Sequence, residues 1–223
     1  MNNNLKYPST PYFSFSPSIS KKKQIFDDTY IYNFINKKII ITEKLDGSNA
    51  CLHNNIVYAR SHQTKAICKS FDLSKSKYAE ILSSNKIDNN IYIFGENMYA
   101  IHAIEYTKLD DVFYVFSIFK NDIFLSWYDV TLICKQLNLK TVPVLFSGII
   151  KSMGDFKDII FKEMDNNSVF GGNREGLVVR IDDYIPIDKF NTLIAKCVRK
   201  NHVKTNIHWS INWKRSNICI KNS

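Results

Sequence analysis

No run of apolar residues in this chain approaches the ~18 that a membrane-spanning helix requires, which excludes a helical crossing. The opening Met1-Asn2-Asn3-Asn4 lacks the charged and apolar regions of a secretory signal. No two of the five cysteines (Cys51, Cys68, Cys134, Cys197, Cys219) form a CxxC pair. An odd, scattered set of this kind fits neither a structural zinc site nor a disulfide framework, and it points to a reducing compartment. The histidines have no metal-ligand spacing with one another. Internal repeats, strict βαβ alternation and any shift of composition that would mark a second domain are all missing. These absences predict a soluble intracellular, cytoplasmic protein folded as a single domain over residues 1–223.

What is present is enough for a sizeable core: 45% of the 223 residues are hydrophobic. Lys and Arg number 30 against 21 Asp and Glu, a formal charge of +9. Such an excess favours a polyanionic partner such as nucleic acid. A chain rich in Lys, Asn and Ile through coding bias would carry the same excess. The last acidic residue is Asp188. Beyond it Arg199, Lys200, Lys204, Lys214, Arg215 and Lys221 fall among His202, His208, Trp209 and Trp213. That mixture suits either contacts to phosphates and unstacked bases or a packed cap with solvated charges.

The apolar pattern predicts many strands and a few helices. Residues 38–41 form a β-branched strand. Residues 50–53 and 56–60 form a hairpin through Asn54-Asn55, residues suited to left-handed backbone. Further strands are expected at 91–94, 112–119, 123–125, 142–146, 176–180 and 193–198. Helices are expected at 72–82, at 127–137 behind a Ser126 N-cap, and at 156–164. Among residues 1–20, the prolines limit regular structure while Tyr7, Tyr12, Phe13 and Phe15 pack on the domain; Lys21-Lys22-Lys23 reads as a solvated loop. Several hairpins with few helices give an α+β fold of mainly antiparallel sheets.

After the first strand comes Thr42-Glu43-Lys44-Leu45-Asp46-Gly47-Ser48-Asn49. Asp-Gly forces a turn, with Gly47 able to take positive φ, so Lys44 stands at the end of a rigid strand beside a bend. Alone, a lysine there is an ordinary surface residue and KxDG is a weak signal. Further polar residues sit at strand ends in fixed order: Arg60, Glu96 in Gly95-Glu96-Asn97-Met98-Tyr99-Ala100, Glu175 in Glu175-Gly176-Leu177-Val178-Val179-Arg180, and Lys196 in 195–203.

This ordered set resembles the covalent nucleotidyltransferases, the superfamily of ATP-dependent ligases and mRNA capping enzymes, and within it the small stand-alone RNA ligases. The likeness runs from Tyr7-Pro8 to Trp209. It implies the nucleotidyltransferase fold around a nucleotide cleft, with ATP and Mg2+ (or Mn2+) as cofactors. It also implies an RNA-repair activity that joins RNA 5′-phosphate and 3′-hydroxyl ends through a lysyl-AMP intermediate. By the same resemblance, Lys44 is the nucleophile and Lys196 contacts the α-phosphate. Arg60 binds phosphate or the acceptor nucleotide, Glu96 a ribose hydroxyl or metal, and Glu175 a divalent cation. Phe116 stacks on adenine, with Phe113 as the fallback, and Glu43 lies where the adenine pocket begins.

A neutral lysine is needed for attack, so the Lys44 pKa must fall. Many relatives carry a second lysine two positions after the late one, where this chain has Val198. Arg199 is the remaining ATP-binding choice, although along a regular strand it points to the opposite face from Lys196. His62 and His102 are taken as packing or RNA-contact residues. Only 27 residues follow Lys196, too few for the OB-fold domain of DNA ligases and capping enzymes. The alternatives are an ATP-dependent DNA ligase, a GTP-dependent guanylyltransferase and a non-catalytic RNA-binding relative.

Overall fold

The structure, a computed structural model, describes residues 5–19, 24–60, 65–84, 87–200 and 213–219. The basic cluster Lys21-Lys22-Lys23, His62, His202, Lys204, His208, Trp209 and Lys221 lie outside those residues.

Two sheets carry the fold. The first has the order β11-β9-β1-β8 and is built from β1 (Lys38–Lys44), β8 (Val144–Ile149), β9 (Gly176–Ile181) and β11 (Ile194–Val198). The second has the order β10-β6-β5-β4-β2-β3. Its strands are β2 (Ser48–His53), β3 (Ile56–Ala59), β4 (Tyr92–Asn97), β5 (Phe113–Lys120), β6 (Ile123–Phe124) and β10 (Ile185–Pro186). The short β7 (Lys140–Thr141) adds to β5 in parallel, and all the other named pairings are antiparallel. Helices α1 (Asp72–Ser84), α2 (Trp127–Gln136), α3 (Met153–Asp165) and the short α4 (Phe190–Leu193) complete the α+β architecture that the apolar pattern predicts.

Local chemistry accounts for the connections. Asn54 and Asn55 take φ of 46° and 62°, and Asn121 and Asp122 take 51° and 63°, the left-handed backbone that two-residue hairpins need. Ser126 and Ser152 cap α2 and α3 by accepting from the backbone N–H groups of Asp129 and Asp155. The Ser152 cap starts α3 three residues before the expected 156. The strand expected at 142–146 is divided instead. Pro143 offers no N–H to a ladder, so β7 ends at Thr141, β8 begins at Val144, and the Pro143 carbonyl accepts from Glu43 N–H at 2.9 Å.

Strand β1 has different neighbours on its two faces. Ile39 and Ile41 pack beneath α3 with Phe13, Phe26, Phe34 and Phe156, whereas Ile40 belongs to the core of the second sheet. The N-terminal aromatics pack as expected. Phe13 is fully buried, and the Tyr7 ring lies 5.0–5.5 Å from those of Phe94, Phe116, Phe124 and Phe190 between the sheets. The chain leaves the first sheet at Lys44 and enters the second at Ser48, so Leu45-Asp46-Gly47 is the crossing between them.

Gly176 begins β9 against the backbone of β11. A methyl group there would stand 2.2 Å from the Cys197 carbonyl oxygen and 3.0 Å from Val198 Cα. Backbone cannot swing aside as a flexible side chain does, so Gly176→Ala is expected to lower stability by about 1–3 kcal/mol, as overpacking typically does. Chemical denaturation measures this; a midpoint equal to the parent's would show that the two strands part freely.

Candidate active site

A cleft of about 830 Å³ opens between the two sheets, within the range of small-molecule sites. Its walls come from the crossing, from β2, β4, β9 and β11, and from the N-terminal segment. Alternation along β1 turns Thr42 and Lys44 toward it. Lys44 Nζ donates to both oxygens of Glu175, at 2.5 and 2.6 Å. Glu175 sits just before β9, whose Gly176 pairs with Lys44 in register. Asn49 and Glu96 pair across β2 and β4 on the facing wall.

Burial lowers the Lys44 pKa, but the Glu175, Glu96 and Asp46 carboxylates outweigh it and hold the ammonium above the ordinary lysine value. This direction is opposite to the one that attack requires, because Lys44 is itself the cation that pairs with Glu175. Glu96 is pushed up to about 8. Burial is the main cause; the Lys44 ammonium pulls the value down, and the nearby Glu175 and Asp46 charges push it up.

Arg60 lies exposed at the end of β3 and lines the cleft, as does Lys196 on β11. The Lys196 ammonium rests 4.2 Å from the centroid of the Tyr12 ring, within cation–π range. Of the two aromatic choices, Phe116 is partly buried and lines the cleft. Phe113 is fully buried, with its ring against Gly95. Phe116 and Val178 pack on the same aromatic cluster and form an apolar part of the wall.

The charged groups of two expected ATP-binding residues, Glu43 and Arg199, turn away from the cleft. Glu43 touches the wall, but its carboxylate turns to the opposite face of β1, where it accepts from Val169 N–H at 3.0 Å and lies 3.9 Å from Arg174 Nε. Two-residue alternation is the reason, and it gives the cleft position to Thr42, whose hydroxyl is buried with no hydrogen-bond partner among the described residues. Arg199 does not line the cleft. Its guanidinium donates to the carbonyls of Met164 and Asn166 at the end of α3, a favourable place for a cation. Gly47 does not take positive φ; a methyl there would stand 2.6 Å from the Asn97 carbonyl oxygen, so close approach is what requires glycine.

Asp46, Asn49, Arg180 and Tyr12 also line the cleft and were not singled out from the sequence. Arg180 was legible in principle: it stands two residues from Val178 and so shares its face. It is buried, donates to the Phe116 carbonyl at 2.5 Å, and its Nε has no partner among the described residues. Tyr12 carries no local signal, because it meets β11 through a distant partner: its ring lies under the Lys196 ammonium, and backbone bonds join Pro11 and Phe13 to Lys196.

The described residues contain no group of three or more His, Cys, Asp or Glu side chains that would hold a metal unaided. They do bring Glu96 and Glu175 to the same ammonium, so a divalent cation replacing it would need oxygens from a ligand as well.

The RNA ligase family model matches residues 37–198, which is more than half of the chain. The chain belongs to the RNA ligase family. No curated protein sequence matches it. Among solved structures it is similar to the R4a RNA ligase of Naegleria gruberi in an apo lysine-to-alanine form, with a TM-score of 0.54 and 22% identity over 76% of this chain and 52% of that one. It is also similar to Naegleria gruberi RNA ligase variants with ATP and manganese (TM-score 0.55, 18% identity, 87% and 60% covered) and with AMP and manganese (0.55, 20%, 88% and 60%). The chain thus spans between half and three-fifths of the chains it matches, and the likeness shows the fold: an α+β fold with mainly antiparallel sheets about the cleft.

The raised Glu96 pKa has a consequence for stability. Unfolded, the group ionises near 4.5; folded, it does so near 8. Its contribution is therefore complete below about pH 4.5 and is lost as pH rises toward 8, because the unfolded chain releases the proton first. Thermal unfolding without nucleotide or metal is expected to show wild type losing stability against Glu96→Gln across that window. Parallel curves for the two proteins would contradict the assignment.

Proposed function

We propose that this chain is an ATP-dependent RNA ligase that joins 5′-phosphate and 3′-hydroxyl RNA ends in three nucleotidyl transfers. The observation that carries the reading is Lys44 at the crossing between the sheets, paired with Glu175 inside a nucleotide-sized cleft. In the first transfer, the neutral Lys44 amine attacks the α-phosphorus of ATP. A phosphorus–nitrogen bond forms, the bond to the β-phosphate oxygen breaks, pyrophosphate leaves and the amine gives up a proton. In the second, a 5′-phosphate oxygen of RNA attacks the same phosphorus, and Lys44 departs and is reprotonated. In the third, the 3′-hydroxyl attacks the RNA 5′ phosphorus, losing its proton as AMP leaves.

Each wall has work on this reading. Phe116 and Val178 pack the base, with Thr42 and Arg180 as its polar neighbours. Lys196, steadied by the Tyr12 ring, meets the α-phosphate, and exposed Arg60 takes phosphate or the acceptor end. Glu175 and Glu96 would hold Mg2+ or Mn2+ together with phosphate oxygens, a donor set suited to a hard cation. When bound, the cation supplies charge neutralisation at the phosphates and competes with Lys44 for Glu175, which favours the neutral amine. Binding of ATP and manganese by the Naegleria enzyme's variants supports the cofactor choice. We further propose a single domain; five free thiols and no membrane-length apolar helix among the described residues support a reducing, cytoplasmic setting.

The deciding experiment is incubation with α-labelled ATP or GTP. Covalent label is expected from ATP alone in wild type and from neither in Lys44→Ala, while Lys44→Ala still seals RNA already bearing a 5′-adenylate. Label from GTP, or label retained by Lys44→Ala, would overturn the assignment.

Glu175→Ala is expected to slow self-adenylation by about 10²–10³-fold, the usual loss for one electrostatic element of a transition state. A wild-type rate across a magnesium titration would leave Glu175 no metal role.

A further inference from the structure

The Lys44 crossing is braced by a loop without regular structure, residues 98–112, that joins β4 to β5. Asp46 Oδ2 accepts from the backbone N–H groups of Ala103 and Ile104 at 2.8 and 2.9 Å. The Tyr106 hydroxyl accepts from Asp46 N–H at 2.9 Å, and His102 Nε2 lies 3.0 Å from Ser48 Oγ. The residues two and four positions after Lys44 are thus both fastened to this one loop.

The loop is held in turn from three sides. Met98 N–H bonds the Val112 carbonyl where the loop leaves and rejoins the sheet, and Thr107 and Lys108 N–H groups bond the Phe170 carbonyl. The third side is the distant segment 213–219. Ile101 N–H donates to the Lys214 carbonyl, Ser216 N–H to the Tyr99 carbonyl and Cys219 N–H to the Leu109 carbonyl, at 2.8–2.9 Å. Tyr99 lies 5.5 Å from the Trp213 ring and 5.3 Å from the Arg215 guanidinium carbon, Ser216 is buried, and Ile218 packs on the core of the second sheet.

Resting on the proposed ligase function, we infer that segment 213–219 is a positioning strap for self-adenylation: it fixes the loop that fixes Asp46 and thereby the strand end from which Lys44 attacks. None of residues 213–219 lines the cleft. It acts by removing freedom from a loop that has no ladder of its own. The chemistry is sensitive to such freedom, since a misplacement of about 1 Å costs on the order of 10²-fold in rate. Among the described cations of this region, Arg199 is engaged by α3 carbonyls and Arg215 by Tyr99. The structure therefore favours the packed cap over the RNA-contact alternative for 213–219.

The test compares wild type, a chain ended after residue 212, and full-length Ser216→Pro and Ser216→Ala. Proline removes the Ser216 N–H, whereas alanine keeps it. Single-turnover labelling by ATP is expected to slow at least tenfold in the truncation and in Ser216→Pro. The loss should fall on the maximal rate rather than on the ATP concentration for half-maximal rate, with Ser216→Ala near wild type. A peptide of residues 213–223 added in trans is expected to restore part of the truncation's rate, which a general loss of folding would not allow. Wild-type maximal rates in both strap variants, with or without weakened and less salt-dependent RNA binding, overturn the inference while leaving the function standing. A wild type that takes no label from ATP overturns both.

Discussion

The bidentate pair between Lys44 and Glu175 is the contact on which the rest of this molecule turns. It ties the end of β1 to the start of β9 where the chain must leave one sheet for the other, and it lies in the cleft that separates them. A pair of this kind is weak evidence of stabilisation, because desolvating two charges offsets most of their attraction. Its company makes the same point. Glu96 and Asp46 add negative charge beside it, and burial leaves Glu96 hard to ionise. A site arranged for stability alone would not gather carboxylates around one ammonium. On the ligase reading, these carboxylates hold the proposed nucleophile, Lys44, as a cation.

What the sequence reveals of this site follows the range of the interactions involved. Lys44, Glu96 and Glu175 sit at or beside strand ends and Lys196 within β11, each inside a short recognisable string, and their strands are plain from β-branched and aromatic runs. Phe116 needed a face as well as a strand, and the pattern left Phe113 open until the fold buried it against Gly95. Glu43 and Thr42 were legible by alternation, yet adjacency to Lys44 outweighed parity. Pro143 split a strand that the apolar pattern runs through, a local rule overlooked rather than information withheld.

Other features had no local signature. Tyr12 reaches Lys196 across most of the chain, Arg199 caps the end of α3, and the cationic segment around Arg215 reads equally as a nucleic-acid surface or a packed cap, with nothing local to announce its backbone bonds to Tyr99 and Leu109. Gly47 shows how one residue type serves two physical needs. The Asp-Gly pair suggests a left-handed turn, but the constraint is space beside Asn97 and Met98. Sequence identifies the glycine; only packing distinguishes the reason.

The replacement of a second late lysine by Val198 bears on the charge balance of the cleft. Val198 is buried opposite Gly176, so no cation reaches the phosphate region from that position. Lys196 is correspondingly restrained: its backbone is bonded to the Pro11–Phe13 segment on one side and its ammonium lies on the Tyr12 ring. Arg180, on the neighbouring strand, is committed to the Phe116 carbonyl and is partly shed of charge-favouring solvent by burial. Lys44 and the exposed Arg60 also stand along the cleft with Asp46, Glu96 and Glu175, and burial leaves Glu96 hard to ionise. On the ligase reading, Glu175 and Glu96 would hold a divalent cation that comes with ATP, and its charge would compete with the Lys44 ammonium for Glu175. Nucleotide binding and activation of the nucleophile then become one electrostatic event rather than two.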